Sequence, residues 1–376
     1  MIRGHLPWLL AVGGALSATI AFSLRPHDAA AAAHQSWSPF VLVAGLLLIG
    51  LVAEADGVFK AAGSWLAGAA RSSVTLFAGA CLLTGLTTAL LNLDTSVAFL
   101  TPVFIYVAKS RAAPAAALLT VSILLSNAAS LFLPGSNLTN LIVLGDHRVT
   151  GVSFFAHLWL PGLCAVVVTA AVVALAQREP LTTSTAVLPG APRLTVGLGL
   201  LATVMAVVVV LVVPSPAIPV AAVGVVAMGV RVAQQQARLG RVLETLGLPV
   251  LIGLFGVAVG LGTLGRAWTG PTELLAHLDP WGTAALGGVA AVALNNLPAA
   301  SLLSAHAPKH LYSLLIGLNL GPNALVTGSL AWVLWLKAAR GAGAYAPLGR
   351  AIRIGLIAAP LSIAAALGAL LLTGAS

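Results

Sequence analysis

A single carboxylate interrupts a long uncharged stretch of this sequence. Asp94 stands within "LNLDTSVAFLTP", residues 91 to 102, and no other charged residue occurs between Ser72 and Ala108. An ionised aspartate at the centre of a bilayer costs about 2.5 to 3.5 kcal/mol on insertion scales, so such acids usually face the protein interior or a wet cavity. A carboxyl group in that setting can take up and release a proton, or bind a small cation. Asp94 is therefore a candidate proton-coupling residue, and a structural acid held by backbone amides is the alternative.

Polar residues without charge accompany four interruptions of the apolar segments. "LLNLDT" (90–95) and "ALNNLPA" (293–299) break at asparagine, whereas "LLSNAASLFLPGSNLTNLIV" (124–143) and "IGLNLGPNALVTGSLAWVLW" (316–335) break at proline and glycine. A broken helix frees amides and carbonyls, which at membrane depth are tolerated only against protein or a wet cavity. Asn, Ser and Thr side chains satisfy these groups and can also bind a solute, although helix capping alone would use the same residue types. The residues that flank the breaks are Asn127, Ser136, Asn137, Asn140, Asn295, Asn296, Asn319, Asn323, Thr327 and Ser329.

The composition indicates that a lipid bilayer surrounds these segments. Of the 376 residues 59% are hydrophobic and 7% are charged, and the mean hydropathy is +1.05, whereas soluble domains carry about 25% charged residues. The segments lack the period-2 alternation of a membrane barrel, so they predict helices. The net charge of +9 does not indicate nucleic-acid binding, because no nucleic-acid-binding motif occurs and the basic residues lie at segment ends.

The sequence also argues against an enzyme. Cys81 and Cys164 both lie within apolar segments and form no CxxC pattern. No HExxH, GxSxG or kinase-like signature occurs. We therefore predict no catalytic residues, no metal site and no cofactor.

The interruptions recur in two halves of the chain in the same order. A pair of interrupted segments at matching positions is the sequence signature of a transporter built from inverted repeats. We predict an all-α polytopic membrane protein with two inverted-topology repeats, each with a re-entrant hairpin and an unwound transmembrane helix. The predicted N-terminal half (1–176) has its hairpin at about 73–108 and its broken helix at about 112–145. A cytoplasmic linker (177–193) leads to the C-terminal half (194–376), with a hairpin at about 280–306 and a broken helix at about 311–336.

The distribution of basic residues predicts the orientation in the membrane. If both hairpins return to their own side, fourteen of the 18 Lys and Arg residues fall on one face, and Arg25, Arg148, Arg266 and Lys309 fall on the other. Cytoplasmic loops carry an excess of Lys and Arg. This predicts a multi-pass protein of the cell inner (plasma) membrane, with a cytoplasmic N-terminus and, after nine crossings, an external C-terminus.

Several stretches resemble motifs of the arsenical pump membrane proteins, the arsenite efflux permeases, which belong to the ion transporter superfamily. They are "LVAEADGVFKAAGSWLA" (51–67), "LNLDTSVAFLTP" (91–102), "SNLTNLIV" (136–143), "NNLPA" (295–299) and "LNLGPNALVTGSLAWVLWL" (318–336). The resemblance runs from about residue 38 to the C-terminus. It departs from the usual family pattern at Asn127 and Asn319, where members often have aspartate, and at Asn323, where they often have lysine.

The resemblance implies a secondary transporter with its site between the two hairpin tips and the two unwound helices. Arsenite or antimonite would move outward in exchange for protons, and a cytoplasmic ATPase partner is a further possibility. The resemblance assigns the tips to Asn92, Asp94, Thr95, Asn295 and Asn296, and the unwound helices to Asn127, Ser136, Asn137, Asn319, Asn323, Gly328 and Ser329. An uncharged trihydroxide suits amides and hydroxyls without basic side chains. The alternatives are a sodium-coupled anion or dicarboxylate transporter, or a sodium/proton antiporter, of the same superfamily.

Overall fold

The computed structural model describes residues 6–111, 113, 115–145, 149–177, 197–213, 215–237 and 239–374. These residues form α-helices joined by short turns and contain no strand, so the prediction of an all-α protein is confirmed. The first half contains α1 (Leu6–Leu24), α2 (Pro26–Ala55), α3 (Val58–Ala69), α4 (Ser73–Leu90), α5 (Leu93–Ser110), α6 (Ala115–Ala129), α7 (Leu138–Leu144) and α8 (Gly151–Ala176). The second half contains α9 (Leu198–Val212), α10 (Ala217–Ala233), α11 (Leu239–Leu246), α12 (Leu248–Ala267), α13 (Gly270–His277), α14 (Pro280–Leu294), α15 (Asn296–Leu303), α16 (Leu311–Leu320), α17 (Ala331–Gly341) and α18 (Leu348–Leu372). Apart from Gln177, the predicted linker at 177–193 lies outside the described residues.

Six of the described helices are long and apolar enough to cross a membrane. They are α1, α2, α4, α8, α12 and α18, and α6, α9, α10 and α14 are shorter apolar helices of 10–17 residues. Large apolar side chains such as Leu16, Val208 and Val289 are exposed on the outer surface of the bundle. A surface of this kind requires lipid around it, because water would solvate it poorly.

The first hairpin consists of α4 and α5, which are separated by only two residues. A capping box between Ser72 and Thr75 begins α4, and the Asn92 side chain caps the start of α5 by accepting from the Thr95 amide at 2.7 Å. Beyond the outer end of α5, the buried Arg111 donates to the carbonyls of Ala67 (2.8 Å) and Ala70 (2.7 Å) at the end of α3. Both outer ends of the hairpin therefore lie at the same end of the bundle.

The second hairpin consists of α14 and the shorter α15, which meet at Asn295. Asn295 has φ +82°, a left-handed conformation that non-glycine residues other than Asn and Asp seldom adopt. The first arm packs closely on α16, because Gly317 lies against the Ala284 carbonyl and Gly321 lies against Gly288. A larger residue at Gly317 or Gly321 would overlap α14, so glycine permits this close approach.

Two further helices are interrupted at the predicted positions. The first consists of α6, a 3₁₀ turn at Pro134–Ser136 and α7; the second consists of α16, 3₁₀ turns at Gly321–Asn323 and Val326–Gly328, and α17. Proline disfavours a regular helix at these points, since it lacks the amide hydrogen and clashes with the preceding turn. Each half thus contains a helical hairpin followed by a broken helix, in the same order.

The long helix α2 packs against several helices from both halves, including α7, α9, α10 and α12. At its C-terminal end Asp56 accepts from the Gly199 amide at 2.7 Å and forms an ion pair with Arg231. Towards its other end Gln35 binds Arg266 of α12, whose Nη2 donates to the Gln35 Oε1 at 2.7 Å. Asp56, Gly199 and Arg231 therefore meet at one end of the bundle, whereas Gln35 and Arg266 meet at the other end. The charge pattern likewise assigns Arg231 and Arg266 to opposite faces.

Candidate functional site

Asn319 connects the two broken helices at the centre of the bundle. Its Oδ1 accepts from Ser130 Oγ at 2.6 Å and from Asn137 Nδ2 at 2.7 Å. Its Nδ2 donates to Asn140 Oδ1 at 2.7 Å and to the Leu315 carbonyl at 2.8 Å. An amide side chain offers two donors and an oxygen with two lone pairs. The hydrogen-bonding capacity of Asn319 is therefore fully used, and its partners Ser130, Asn137 and Asn140 all flank the break between α6 and α7.

Asn127 and Asn323 form a second contact between the broken helices. Asn127 Nδ2 donates to Asn323 Oδ1 at 2.9 Å, and Asn323 Nδ2 donates to the Leu124 carbonyl at 3.0 Å. Both side chains are fully buried. Gly355 of α18 packs on this contact, because a Cβ there would overlap the Asn323 carbonyl oxygen. Neutral amides thus join the two broken helices at a point where they cross, and protein encloses this crossing completely.

The tip of the first hairpin lies against the first break. Ser136 Oγ donates to the Ala89 carbonyl, one residue before the end of α4, at 3.1 Å. Thr95 is fully buried and lies against Gly50 of α2, where a Cβ would come within 2.6 Å of the Thr95 methyl carbon. The tip is therefore enclosed between α2 and the first broken helix.

The tip of the second hairpin binds the second break directly. Asn295 Nδ2 donates to the Thr327 carbonyl at 3.1 Å, and Thr327 Oγ1 donates to the Val292 carbonyl at 2.7 Å. Leu294 at this tip and Leu325 in the second break are exposed. Asn296, the first residue of α15, is buried. The four predicted elements therefore form one continuous chain of contacts from the first tip, through both breaks, to the second tip.

Several polar atoms of this site lack a hydrogen-bond partner within the described part of the chain. These buried atoms are Asn92 Nδ2, Thr95 Oγ1, Ser96 Oγ, Asn127 Oδ1, Thr139 Oγ1 and Ser329 Oγ. A buried polar atom without a partner costs about 1 to 3 kcal/mol. Buried atoms of this kind are available to a bound solute or to ordered water. Gly328 has no polar side chain, and its role is steric. Any side chain there would meet Pro322 and separate the two 3₁₀ turns.

Asp94 occupies the second position of α5, within the first turn. Its side chain is half-buried, and among the described residues it has neither a hydrogen-bond donor nor a basic partner. The positive end of the helix dipole favours an anion at such a position by about 0.3 to 1 kcal/mol. None of the other predicted site residues can carry a charge, so Asp94 dominates the electrostatics of the site.

A family model for citrate transporters matches residues 2–335 of this chain. The chain belongs to the citrate transporter family. The match covers both hairpins and the breaks at residues 130–137 and 321–330, so the family assignment rests on the part of the chain that forms the site. It supports a membrane secondary transporter and not a catalyst. None of the curated proteins matches the chain.

The fold of this citrate transporter family member is similar to that of the YdaH transporter of Alcanivorax borkumensis, whose crystal structure was described as having an unusual topology. The two proteins share 14% sequence identity with a TM-score of 0.51, and the alignment covers 91% of this chain and 86% of the other. At this identity the likeness concerns the fold alone. It agrees with the predicted polytopic helical architecture.

Two partners in the site were not among the predicted substrate-binding residues. Ser130 and Asn140 both bind Asn319, and both belong to the broken segment 124–143. Asn140 was recognised as flanking the break, but Ser130 was missed. The segment has serine and asparagine on both sides of Pro134. This repetition is the sequence signal that could have identified Ser130 and Asn140.

Proposed function

We propose that this chain is a secondary active transporter for a small carboxylate anion of the citrate class. The description of the family model, which names citrate, supports this substrate class. The solute would bind between the first hairpin tip and the two breaks. Alternating exposure of this site to the two faces of the membrane would complete the transport cycle.

The observation that carries this proposal is the group of unpaired donors at the start of α5. Asn92 Nδ2, Thr95 Oγ1 and Ser96 Oγ are buried without a partner at the N-terminus of an 18-residue helix. Backbone amides and the helix dipole make such an end favourable for negative charge. Carboxylates accept hydrogen bonds, and these atoms can donate them. An anion can therefore be bound here without a lysine or arginine.

Asp94 supplies the reason for ion coupling in this proposal. An ionised Asp94 in the same helix turn would repel an anionic solute, because two like charges in a poorly solvated site destabilise each other. A proton or a sodium ion on Asp94 removes that repulsion. Binding of the solute and binding of the cation would thus favour each other, which is the thermodynamic requirement for coupled transport.

Asn319 has a positioning role in this mechanism. All of its donors and acceptors are engaged by protein groups, so binding a solute would require breaking one of these bonds. The atoms left for the solute lie at Asn92, Thr95, Ser329 and the Asn127 oxygen.

Export of arsenite or antimonite in exchange for protons is the second candidate. The uncharged amides and hydroxyls of the site favour it, because a neutral trihydroxide needs donors and acceptors but no charged partner. Under this alternative a cytoplasmic ATPase could act as a partner. For both candidates we keep the inner-membrane location and the cytoplasmic N-terminus that the basic residues predict.

The test is transport by the purified chain in proteoliposomes, with labelled citrate and arsenite offered separately. Each solute is measured under an imposed proton gradient, a sodium gradient and no gradient. We expect citrate accumulation that requires one of the two gradients. Gradient-driven movement of arsenite without movement of citrate would refute the carboxylate proposal in favour of the second candidate.

Two isosteric variants test whether the tip binds the solute. Thr95→Val removes an unpaired hydroxyl at the tip, whereas Thr84→Val removes an equally buried, unpaired hydroxyl from the arm of the same hairpin. We expect Thr95→Val to weaken the apparent affinity roughly tenfold, since a hydrogen bond to a charged group contributes about 1.5 kcal/mol or more. Thr84→Val should leave it unchanged. Equal behaviour of the two variants would contradict the assignment of the tip.

A further inference from the structure

A cavity of about 470 Å³ lies between α2, α7 and the turn that joins α9 to α10. Its wall includes His34, Gln35 and Ser38 of α2, together with Ser215 and Ile218 near the turn. Its volume is within the range of small-molecule sites, about 300 to 1,000 Å³. The cavity is therefore large enough for a hydrated small solute.

The inner end of this cavity adjoins the candidate site. Pro134, the first residue of the 3₁₀ turn in the first break, lines the cavity. Two residues further along, Ser136 binds the end of α4, and Asn137 binds Asn319. The cavity thus leads from Val213, Ser215 and Pro216, between α9 and α10, to the break that holds the first hairpin tip.

Hydrogen bonds from one side chain fix the wall of the cavity. Gln35 Nε2 donates to the carbonyls of Ile142 in α7 (3.0 Å) and Ser304 after α15 (3.1 Å). Its Oε1 accepts from Arg266 Nη2 at 2.7 Å. Gln35 therefore joins α2, α7, the second hairpin and α12, and these bonds fix the position of α2 along the cavity wall.

We propose that this cavity is the vestibule through which the transported anion reaches the first break from the membrane face at the α9–α10 turn. The inference rests on the proposed function, because it names the path to the same site. Like Pro134, Ser38 of α2 lines this cavity. A bulky group attached there would obstruct the path without contacting the hairpin tip.

Cysteine accessibility tests the vestibule in the full chain. In a background with Cys81→Ser and Cys164→Ser, Ser38→Cys and Ser215→Cys are labelled in proteoliposomes with a membrane-impermeant thiol reagent. Ala276→Cys is the matched control, because Ala276 is exposed on α13, which follows Arg266 at the same end of the bundle, and lies outside the cavity. Citrate is the probe solute.

We expect Ser38→Cys to be labelled, to be protected at least severalfold by excess citrate, and to lose at least nine-tenths of its transport once labelled. Ala276→Cys should be labelled with no protection and no loss of transport. Labelled Ser38→Cys that transports at its unlabelled rate would overturn the vestibule, as would a failure of both cavity variants to react while Ala276→Cys reacts. Absence of citrate transport from the folded Cys-free chain before any labelling would instead refute the proposed function.

Discussion

Replacing Asn319 with leucine tests the amide crossing between the two broken helices. Leucine has the same number and branching of side-chain heavy atoms as asparagine but neither donates nor accepts hydrogen bonds. The substitution removes the three hydrogen bonds that join Asn319 to Ser130, Asn137 and Asn140 of the other broken helix. Asn319→Leu therefore detaches α16 from the first break while keeping a side chain of the same branching.

The expected loss of stability follows from these bonds. Hydrogen bonds between membrane helices contribute about 0.6 kcal/mol each on average, so three of them give a lower value of about 2 kcal/mol. Two partner groups, the Asn137 Nδ2 and the Asn140 Oδ1, would also lose their partner on Asn319 inside the protein, and each unsatisfied group costs about 1 to 3 kcal/mol. Ser130 is affected less because its one hydroxyl hydrogen can turn to the Asn127 carbonyl, whose oxygen lies 2.7 Å from Ser130 Oγ. We expect a decrease in the free energy of unfolding of about 2 to 6 kcal/mol.

The assay is reversible unfolding in mixed micelles by titration with a denaturing detergent, followed by circular dichroism. Ser313→Ala is the control, because Ser313 lies on the same helix and its buried hydroxyl has no partner in the described structure. Removing that hydroxyl should leave stability unchanged or raise it slightly. If Asn319→Leu unfolds within about 0.5 kcal/mol of the parent protein, the crossing contributes little and the reasoning is wrong. A double variant with Asn137→Ala should lose less than the sum of the single losses, since the two residues share a bond.

Three further perturbations follow from the same contacts. Asp94→Asn should preserve the thermal unfolding temperature and abolish gradient-driven transport, and full coupled transport by this variant would rule out Asp94 as the coupling residue. Gly355→Ala should lower stability by about 1 to 3 kcal/mol through overpacking against the Asn323 carbonyl, whereas Gly349→Ala on the same helix, where the added methyl meets open space, should not destabilise it. Arg111→Met should lower the unfolding temperature by loosening the outer end of the first hairpin from α3, and an unchanged unfolding temperature would show that this contact does not hold the hairpin.

The sequence predicted the positions of the helix breaks because local chemistry determines them. Pro134 and Pro322 lie in the first two residues of 3₁₀ turns, where the missing amide hydrogen disfavours a continuing helix, and Asn92 and Asn137 cap helix starts as their residue type favours. Long apolar runs likewise indicate the helices that are long and apolar enough to cross a membrane. The short helices α3 and α13, with 12 and 8 residues, give too short an apolar run to be predicted in this way.

The partners within the site could not be read from the sequence. Asn319 and Ser130 are 189 residues apart, and Gln35 and Arg266 are 231 residues apart, so no local pattern relates them. The positive-inside pattern placed Arg266 at an external loop but gave no indication that it binds Gln35. Which buried polar atoms remain unpaired depends on rotamers and packing, which only the folded arrangement determines.

The neutrality of the asparagine crossing has an electrical consequence. A charge that moves across a membrane potential of 100 mV gains or loses about 2.3 kcal/mol per elementary charge, whereas the amides of Asn127, Asn319 and Asn323 do no such work. If these residues change position during transport, the membrane voltage acts only on Asp94 and on whatever ions and solute are bound. A transport current would then report the charge on Asp94 together with the charge of the cargo, and a proton bound to Asp94 would remove the contribution of that carboxylate.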